Sequence, residues 1–357
     1  MYWNKEINSI SLSTGDMKIM QQCEISMEKL MQQPADPGLP PIWSILSYAM
    51  LRSDGESYVG IWRTYRLFQK IFSDPDRFYY RREIRKAGGD IRELNVPSSY
   101  LRREQWYIFN YILNQLPVDD HAYAYRRGIS LVDCARPHIG KKVLIRLDIQ
   151  DFFGSVKENM IYERFLEDTG YPRKLCRFLA KLCCYKHHLP QGAVTSPMLS
   201  NIVFRPLDEK LADFAESCGM TYTRYSDDLY FSGDEVDVTS FIVCVKIFLR
   251  EYGFRVNEKK TKVLGQQHRQ TVLVLTVNEK VQVTRQYRRD LLQEIYYLEK
   301  FGKNCAGAEK EGNYLRYVRR LLGKANYVLS VRPEDEKFQK AVAMLKQRIF
   351  LIDRKFY

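Results

Sequence analysis

The chain has 357 residues, 45% of them hydrophobic and 28% charged, which supports a sizeable core in two or three packed units and excludes a wholly disordered chain. Its 56 Lys and Arg against 43 Asp and Glu give a net charge of +13, a balance that suits a polyanionic partner such as nucleic acid. There is no N-terminal signal pattern and no run of ~18 apolar residues, so the expectation is a cytoplasmic protein with reduced thiols and no membrane partner.

In chain order, residues 1–33 read as a polar start with a helical stretch, closed by four prolines between Pro34 and Pro41. Residues 42–72 read as helix, with Trp43, Leu46, Ala49 and Met50 apolar. Residues 77–103 hold eight Arg or Lys against three acids, and Ala87-Gly88-Gly89-Asp90 has the chemistry of a tight hairpin turn. Helix returns over 104–116. Lys142 to Asp148 is a β-rich run ending in an acid. Residues 157–185 read as helix broken at Gly170-Tyr171-Pro172, and 196–217 as a second helix. Thr221 to Ser232 reads as strand, two-residue turn, strand, with Ser226-Asp227 or its neighbour at the turn. Residues 238–252 read as helix, 254–283 as short strands, and the last 70 residues as helix again.

Two minor features have plain readings beside functional ones. The 25 tyrosines, mixed with Arg and Lys, suit base stacking, although core and rim packing accounts for most of them. Eight cysteines include no C-x-x-C pair. Cys183-Cys184 with His187-His188 invites zinc, but adjacent ligands point apart and no second pair completes a site, so buried thiols at a polar strand end are preferred.

The chemistry concentrates in Tyr225-Ser226-Asp227-Asp228-Leu229. A turn needs one Asp, not two, and adjacent acids repel. Strand formers flank them, so the pair sits on a rigid element that calls for a cation. A divalent ion such as Mg²⁺ takes oxygen ligands, and Asp148 offers a third carboxylate from an independent strand. Three such acids can hold two metals for phosphoryl transfer. Alone, an Asp-Asp at a turn is most often solvated.

Company decides it. Tyr225-Ser226-Asp227-Asp228 resembles the tyrosine-x-aspartate-aspartate box of reverse transcriptases, and Leu147-Asp148-Ile149-Gln150-Asp151-Phe152-Phe153 resembles their first aspartate motif. Leu189-Pro190-Gln191-Gly192-Ala193-Val194-Thr195-Ser196-Pro197 resembles the segment beneath template and nucleotide, and Gly253 to Thr261 the next palm motif. Lys86 to Arg92, with Pro97, resembles the fingers motif. The motifs stand in the family's order across residues 77–330.

The resemblance implies an α+β right-hand polymerase: a helical extension over 1–75, fingers and palm over 76–283, a helical thumb and tail over 284–357. It implies an RNA-directed DNA polymerase with two Mg²⁺ ions, or Mn²⁺, held by Asp148, Asp227, Asp228 and the Ile149 carbonyl. Phe153 becomes a gate against the 2′-hydroxyl. Backbone amides of Asp151 and Phe152 face the triphosphate, Gln191 and Gly192 shape the nucleotide pocket, and Lys260 protonates the departing pyrophosphate unless it is only a surface lysine. Arg92 is the candidate phosphate grip for deoxynucleoside triphosphates, with Lys86 second.

Within the family the likeness is to bacterial retron-type enzymes. Tyr125 to Ser130 and Cys134-Ala135-Arg136-Pro137-His138 resemble a retron segment reading asparagine-alanine-x-x-histidine, with Cys134 in place of the asparagine. Val272-Leu273-Val274 departs at two positions from the retron valine-threonine-glycine. His138 is thereby a candidate RNA contact, or a structural loop histidine. Arg316, Arg320 and Lys324, spaced i, i+4, i+8 with Arg319 beside them, form a basic stripe opposite Tyr314, Val318, Leu321 and Ala325, suited to a template–primer duplex. The implied partners are a cognate structured noncoding RNA, the RNA–DNA hybrid copied from it and a separate effector protein, in antiphage defence. The alternatives are a neighbouring defence or mutagenic-retroelement enzyme with another RNA or primer, or an RNA-binding scaffold with an idle polymerase core.

Overall fold

The structure, a computed structural model, describes residues 67–68, 70–85, 89, 91–311 and 313–353. The helix expected over 42–72 lies almost wholly outside these residues, as do most of the 1–75 extension and Lys86.

The elements begin with strands β1 (Tyr79–Arg85) and β2 (Ile91–Pro97), helices α1 (Ser99–Tyr111) and α2 (Leu131–Ala135), and strand β3 (Val143–Asp148). Helices α3 (Phe152–Ser155), α4 (Glu158–Thr169), α5 (Arg173–Cys183) and α6 (Ser196–Ser217) follow, then strands β4 (Thr221–Tyr225) and β5 (Asp228–Gly233) and helix α7 (Val238–Glu251). Short strands β6 (Lys262–Gly265), β7 (Thr271–Val272), β8 (Leu275–Thr276) and β9 (Gln282–Val283) lead to helices α8 (Arg285–Phe301), α9 (Ala306–Glu311), α10 (Tyr314–Val331) and α11 (Glu336–Asp353). The chain packs as two compact units, divided after Asp119, Gln150 and Pro206. This division by packing differs from the functional names fingers, palm and thumb, which stay proposals.

The first unit holds the described residues up to Asp119 together with Asp151–Pro206. β1 and β2 pair antiparallel from Tyr79↔Pro97 to Arg85↔Ile91, and Gly89 takes a φ of +91° in their connection. The hairpin is exposed along most of its length and buried at its base, where Tyr79 and Pro97 meet. Helix α1 starts ahead of the expected 104–116, because the Ser98 side chain accepts from the Leu101 amide and satisfies one of the free donors of the first turn. Beneath, Phe68 meets Phe178 of α5 edge to face at 5.0 Å.

The second unit holds Asp120–Gln150 and the chain from Leu207. Its main sheet is antiparallel in the order β4-β5-β3-β6. Side chains alternate along a strand, and directly paired residues share a face. Ile145, Leu147, Leu229 and Phe231 therefore lie on one face, all fully buried. There Phe231 meets Phe241 of α7 at 5.2 Å, and Phe241 stacks on Phe214 of α6 at 5.0 Å. Leu144, Arg146 and Asp148 lie on the other, paired with Ser232, Tyr230 and Asp228. Leu144 and Tyr230 join a core with Val272, Leu275, Leu291, Val318 and Leu345, contributed by the second sheet β7-β8-β9 and the C-terminal helices. Apolar residues cover both faces of β3 except at Arg146 and Asp148, and those exceptions mark the site. Among the described residues no helix is long and apolar enough to cross a membrane.

Candidate active site

Two like charges are set face to face here. Asp148, the last residue of β3, pairs in register with Asp228, the first of β5. Directly opposed like charges destabilise a sheet unless something offsets them. Two cations do. Lys260 donates to Asp148 Oδ2 at 2.7 Å. Arg146 grips Asp228 with its fork, Nε to Oδ1 at 3.0 Å and Nη2 to Oδ1 and Oδ2 at 2.9 Å each. Burial pushes the Asp228 carboxyl up from its ordinary range, against the pull of Arg146.

The two-residue turn before Asp228 is Ser226-Asp227, with Ser226 at a φ of +59°. It is anchored from three sides. Ile149 N–H donates to the Asp227 carbonyl at 2.8 Å, Tyr125 hydroxyl meets Ser226 Oγ at 2.8 Å, and Arg224 Nη1 donates to the Ser226 carbonyl at 3.2 Å. Arg224 is fully buried and is itself fixed by Asp208 of α6, Nε to Oδ1 at 2.8 Å, with Tyr222 hydroxyl donating to the same oxygen at 2.7 Å. Asp227 is half-buried, with no side-chain hydrogen bond or ion pair among the described residues. After Asp148 the chain is held on its far side too. Asn257 N–H donates to the Asp148 carbonyl at 2.7 Å, and Gln150 N–H to the Arg255 carbonyl at 2.8 Å.

The structure thus brings Asp148, Ile149, Asp227, Asp228 and Lys260 together in one unit. Carboxylate and carbonyl oxygens are the donors a hard divalent cation takes, so their chemistry fits one. As the side chains stand, no three acids among the described residues form a ready metal cluster.

The nucleotide-pocket candidates lie in the other unit. Asp151 takes a left-handed φ of +43° and opens α3, its carbonyl accepting from Ser155 N–H at 2.8 Å. Phe152 is buried against Phe204, ring centroids 5.7 Å apart, and Phe153 stands half-buried and edge-on to Phe152 at 5.6 Å. The Gln191 carbonyl accepts from Asn95 N–H of β2 at 2.7 Å. Gly192 has a φ of +118°, and a Cβ there would lie 3.1 Å from the Asn95 carbonyl oxygen. Arg92 is exposed on β2, paired in register with Ile84, and makes no ion pair among the described residues.

Two expectations need correction. His138 presents no face to a nucleic acid. It is fully buried, with Nδ1 2.7 Å from Ser232 Oγ and Nε2 2.7 Å from Thr223 Oγ1, so it staples β4 to β5. Burial pushes its pKa down to about 3, so the ring is neutral. Cys134 packs beside it, Sγ 3.5 Å from the same Thr223 hydroxyl. The basic stripe of α10 is also partly spent on ion pairs to neighbouring helices. Arg320 binds Glu311 at 2.8 Å and Glu294 at 3.1 Å, and Lys324 binds Glu294 at 2.8 Å, so these two staple α10 to α8 and α9. Arg316, 79% exposed, is 3.6 Å from Glu311, and Arg319 is exposed. At the cysteine–histidine cluster, Cys183 and Cys184 are buried, while His187 faces Glu158 at 3.0 Å.

Sequence reasoning passed over Arg146, Arg224, Asp208 and Tyr230. Arg146 carried a usable signal, since residue i−2 on a strand shares the face of Asp148. Arg224 and Asp208 stand 16 residues apart on a strand and a helix, and carried none.

Comparison with known proteins shows the family. Residues 84–283 match the family model described as reverse transcriptase (RNA-dependent DNA polymerase). The chain belongs to the reverse transcriptase family. Its type is the bacterial retron one. It is 31% identical over 222 residues to the Retron Ec86 reverse transcriptase of Escherichia coli, covering 60% of this chain and 68% of that protein. It is 33% identical over 249 residues to the Retron Mx65 reverse transcriptase of Myxococcus xanthus, covering 64% and 58%. The Retron Mx162 reverse transcriptase of Myxococcus xanthus is 30% identical over 233 residues, covering 57% and 48%. The chain thus spans less than two thirds of the length of the last two. A solved telomerase of Candida albicans aligns at a TM-score of 0.42 and 11% identity, over 82% of this chain and 64% of that one. The chain is an RNA-directed DNA polymerase by family, with the α+β fold expected of it.

Proposed function

We propose that this chain copies a cognate structured noncoding RNA into single-stranded DNA that stays joined to its template as an RNA–DNA hybrid. The observation that carries the reading is the opposition of Asp148 and Asp228 beside Asp227, on strands locked by backbone hydrogen bonds, in a chain of retron type. Asp148, Asp227, Asp228 and the Ile149 carbonyl are the residues to hold two divalent cations, Mg²⁺ or Mn²⁺. Such ions, when bound, lower the pKa of an attacking hydroxyl and stabilise the leaving pyrophosphate.

The chain's own residues supply the rest. The anchored turn keeps Asp227 and Asp228 from spreading. Lys260 lies beside Asp148 with its side chain 56% exposed, free to swing toward a departing pyrophosphate and protonate it. Phe153 selects against a 2′-hydroxyl, Asp151 and Phe152 offer backbone amides to the triphosphate, Gln191 and Gly192 shape the pocket, and Arg92 grips phosphates. Arg316 and Arg319 are the exposed cations of α10 that meet the template–primer backbone. The retron likeness supports a cytoplasmic role in antiphage defence with a separate effector protein.

A different RNA or primer is the second reading. It is favoured by Cys134, which packs as a buried thiol where the retron segment has an amide, and by Leu273, held at a φ of +56°. Sequencing the nucleic acid that co-purifies with the wild type and with Asp227→Ala separates the readings. A noncoding RNA with attached DNA in the wild type alone supports the first. Identical cargo in both, with neither extending a primer, leaves only an RNA-binding scaffold.

A further inference from the structure

The three acids are held very unequally. Asp227 has no side-chain partner among the described residues. Asp148 gives one oxygen to Lys260, a flexible side chain that is more than half exposed. Asp228 has both oxygens taken by built groups. Arg146 reaches both, and Tyr230 hydroxyl lies 3.4 Å from Oδ2. Tyr230 is fully buried and its hydroxyl accepts from Leu273 N–H at 3.0 Å, which ties it to the turn between β7 and β8. Arg146 is paired in register with Tyr230 and lies over its ring, 5.9 Å from the centroid. Its side chain is 29% exposed and that of Asp228 15%, so the pair sits at the floor of the site rather than at its rim.

The fork matters here. A guanidinium is planar and always charged, and it fixes a carboxylate's orientation as well as its charge. Carboxylates that bind metals are commonly held by such neighbours, and removing the neighbour costs about 10–100-fold in metal affinity or activity. We propose that Arg146 is a positioning residue that orients the Asp228 carboxylate for divalent-cation binding, braced through Tyr230 by the Leu273 backbone. This rests on the polymerase reading above. Its role is to act on the Asp228 carboxylate, which it contacts directly, rather than on the reacting atoms.

The test is Mn²⁺ titration of the full chain by calorimetry, without nucleic acid, for wild type, R146Q, D228N and the double variant. R146Q is expected to weaken Mn²⁺ binding about 10–100-fold. The metal concentration for half-maximal primer extension should rise by a similar factor. The double variant should lose less than the product of the two single losses, because Arg146 acts chiefly through Asp228. Mn²⁺ binding by R146Q within about threefold of wild type, or a double-variant loss equal to the product of the single losses, overturns the proposal. If R146Q does not fold, R146K carries the test, since it keeps the charge and loses the fork. A tenfold loss in R146K supports orientation by the fork, and affinity within about threefold of wild type overturns it. A wild type that extends primers while R146Q binds Mn²⁺ normally sinks this inference alone. A wild type that extends none sinks the polymerase reading, whatever Arg146 does.

Discussion

Arg224 and Asp208 form an ion pair that solvent does not reach, with both side chains 0% exposed. Arg224 also donates to the Ser226 carbonyl, so this pair is the foundation of the turn that carries Asp227. Breaking one side of such a pair strands a buried charge and costs about 3–5 kcal/mol. Asp208→Asn is expected to lower the melting temperature by roughly 5–15 degrees and to lose polymerase activity before it unfolds. A melting temperature within two degrees of wild type contradicts this.

His138 makes stability depend on acid. The folded ring has its pKa pushed down to about 3 by burial, with Lys141 adding to the effect, while an unfolded histidine titrates near its ordinary value of about 6.5. Between those values the unfolded chain binds a proton that the folded chain refuses. This stability is therefore fully present above about pH 6.5 and is lost as pH falls toward 3, by up to about 5 kcal/mol. His138→Gln keeps a donor and an acceptor but cannot titrate. Its melting temperature should lie below wild type at pH 8 and close that gap by pH 5. Parallel curves would falsify the assignment.

Gly192 has a backbone that other residues rarely adopt and a carbonyl 3.1 Å from where a Cβ would stand. Gly192→Ala should cost about 1–3 kcal/mol, read in denaturant unfolding. Because Gln191 is bonded to Asn95 of β2, the variant should also raise the KM for deoxynucleotides more than it lowers kcat. Wild-type stability in Gly192→Ala shows that the loop relaxes at no cost.

Phe153 is the proposed sugar gate. Its ring is only half-buried against Phe152, so Phe153→Val should fold. It should raise incorporation of ribonucleotides relative to deoxynucleotides about tenfold or more, the loss of roughly 1.4 kcal/mol of discrimination. Unchanged discrimination removes the gate from Phe153.

The charges of α10 divide into two kinds. Arg316→Ala and Arg319→Ala should each reduce the salt slope of template–primer binding by about one unit. Arg320→Ala should leave that slope unchanged and lower stability, because Arg320 serves Glu294 and Glu311. A slope that falls only with Arg320→Ala reverses this division.

Much of this molecule was legible in its sequence. The strand–turn–strand around Ser226-Asp227, the helix Ser196–Ser217 and the Asp148 strand all carry local signals, namely β-rich runs, turn chemistry and a long apolar helical pattern that continues through Pro206. The two misread features share a cause. His138 and the Arg320–Lys324 stripe look exposed when read along one segment, and only packing shows what meets them. His138 finds hydroxyls from two strands about 90 residues away, and Arg320 finds acids on two other helices. Arg224 was passed over for a like reason, since its partner Asp208 stands on a separate helix, whereas Arg146 was readable from its place two residues before Asp148 on one strand.

The most direct test is primer extension on an RNA template with Mg²⁺, comparing wild type with Asp227→Ala. The account predicts template-dependent DNA synthesis by the wild type and a loss of about a thousandfold in the variant, the equivalent of several kcal/mol of transition-state stabilisation. Synthesis by Asp227→Ala at the wild-type rate, or none by either protein, contradicts it.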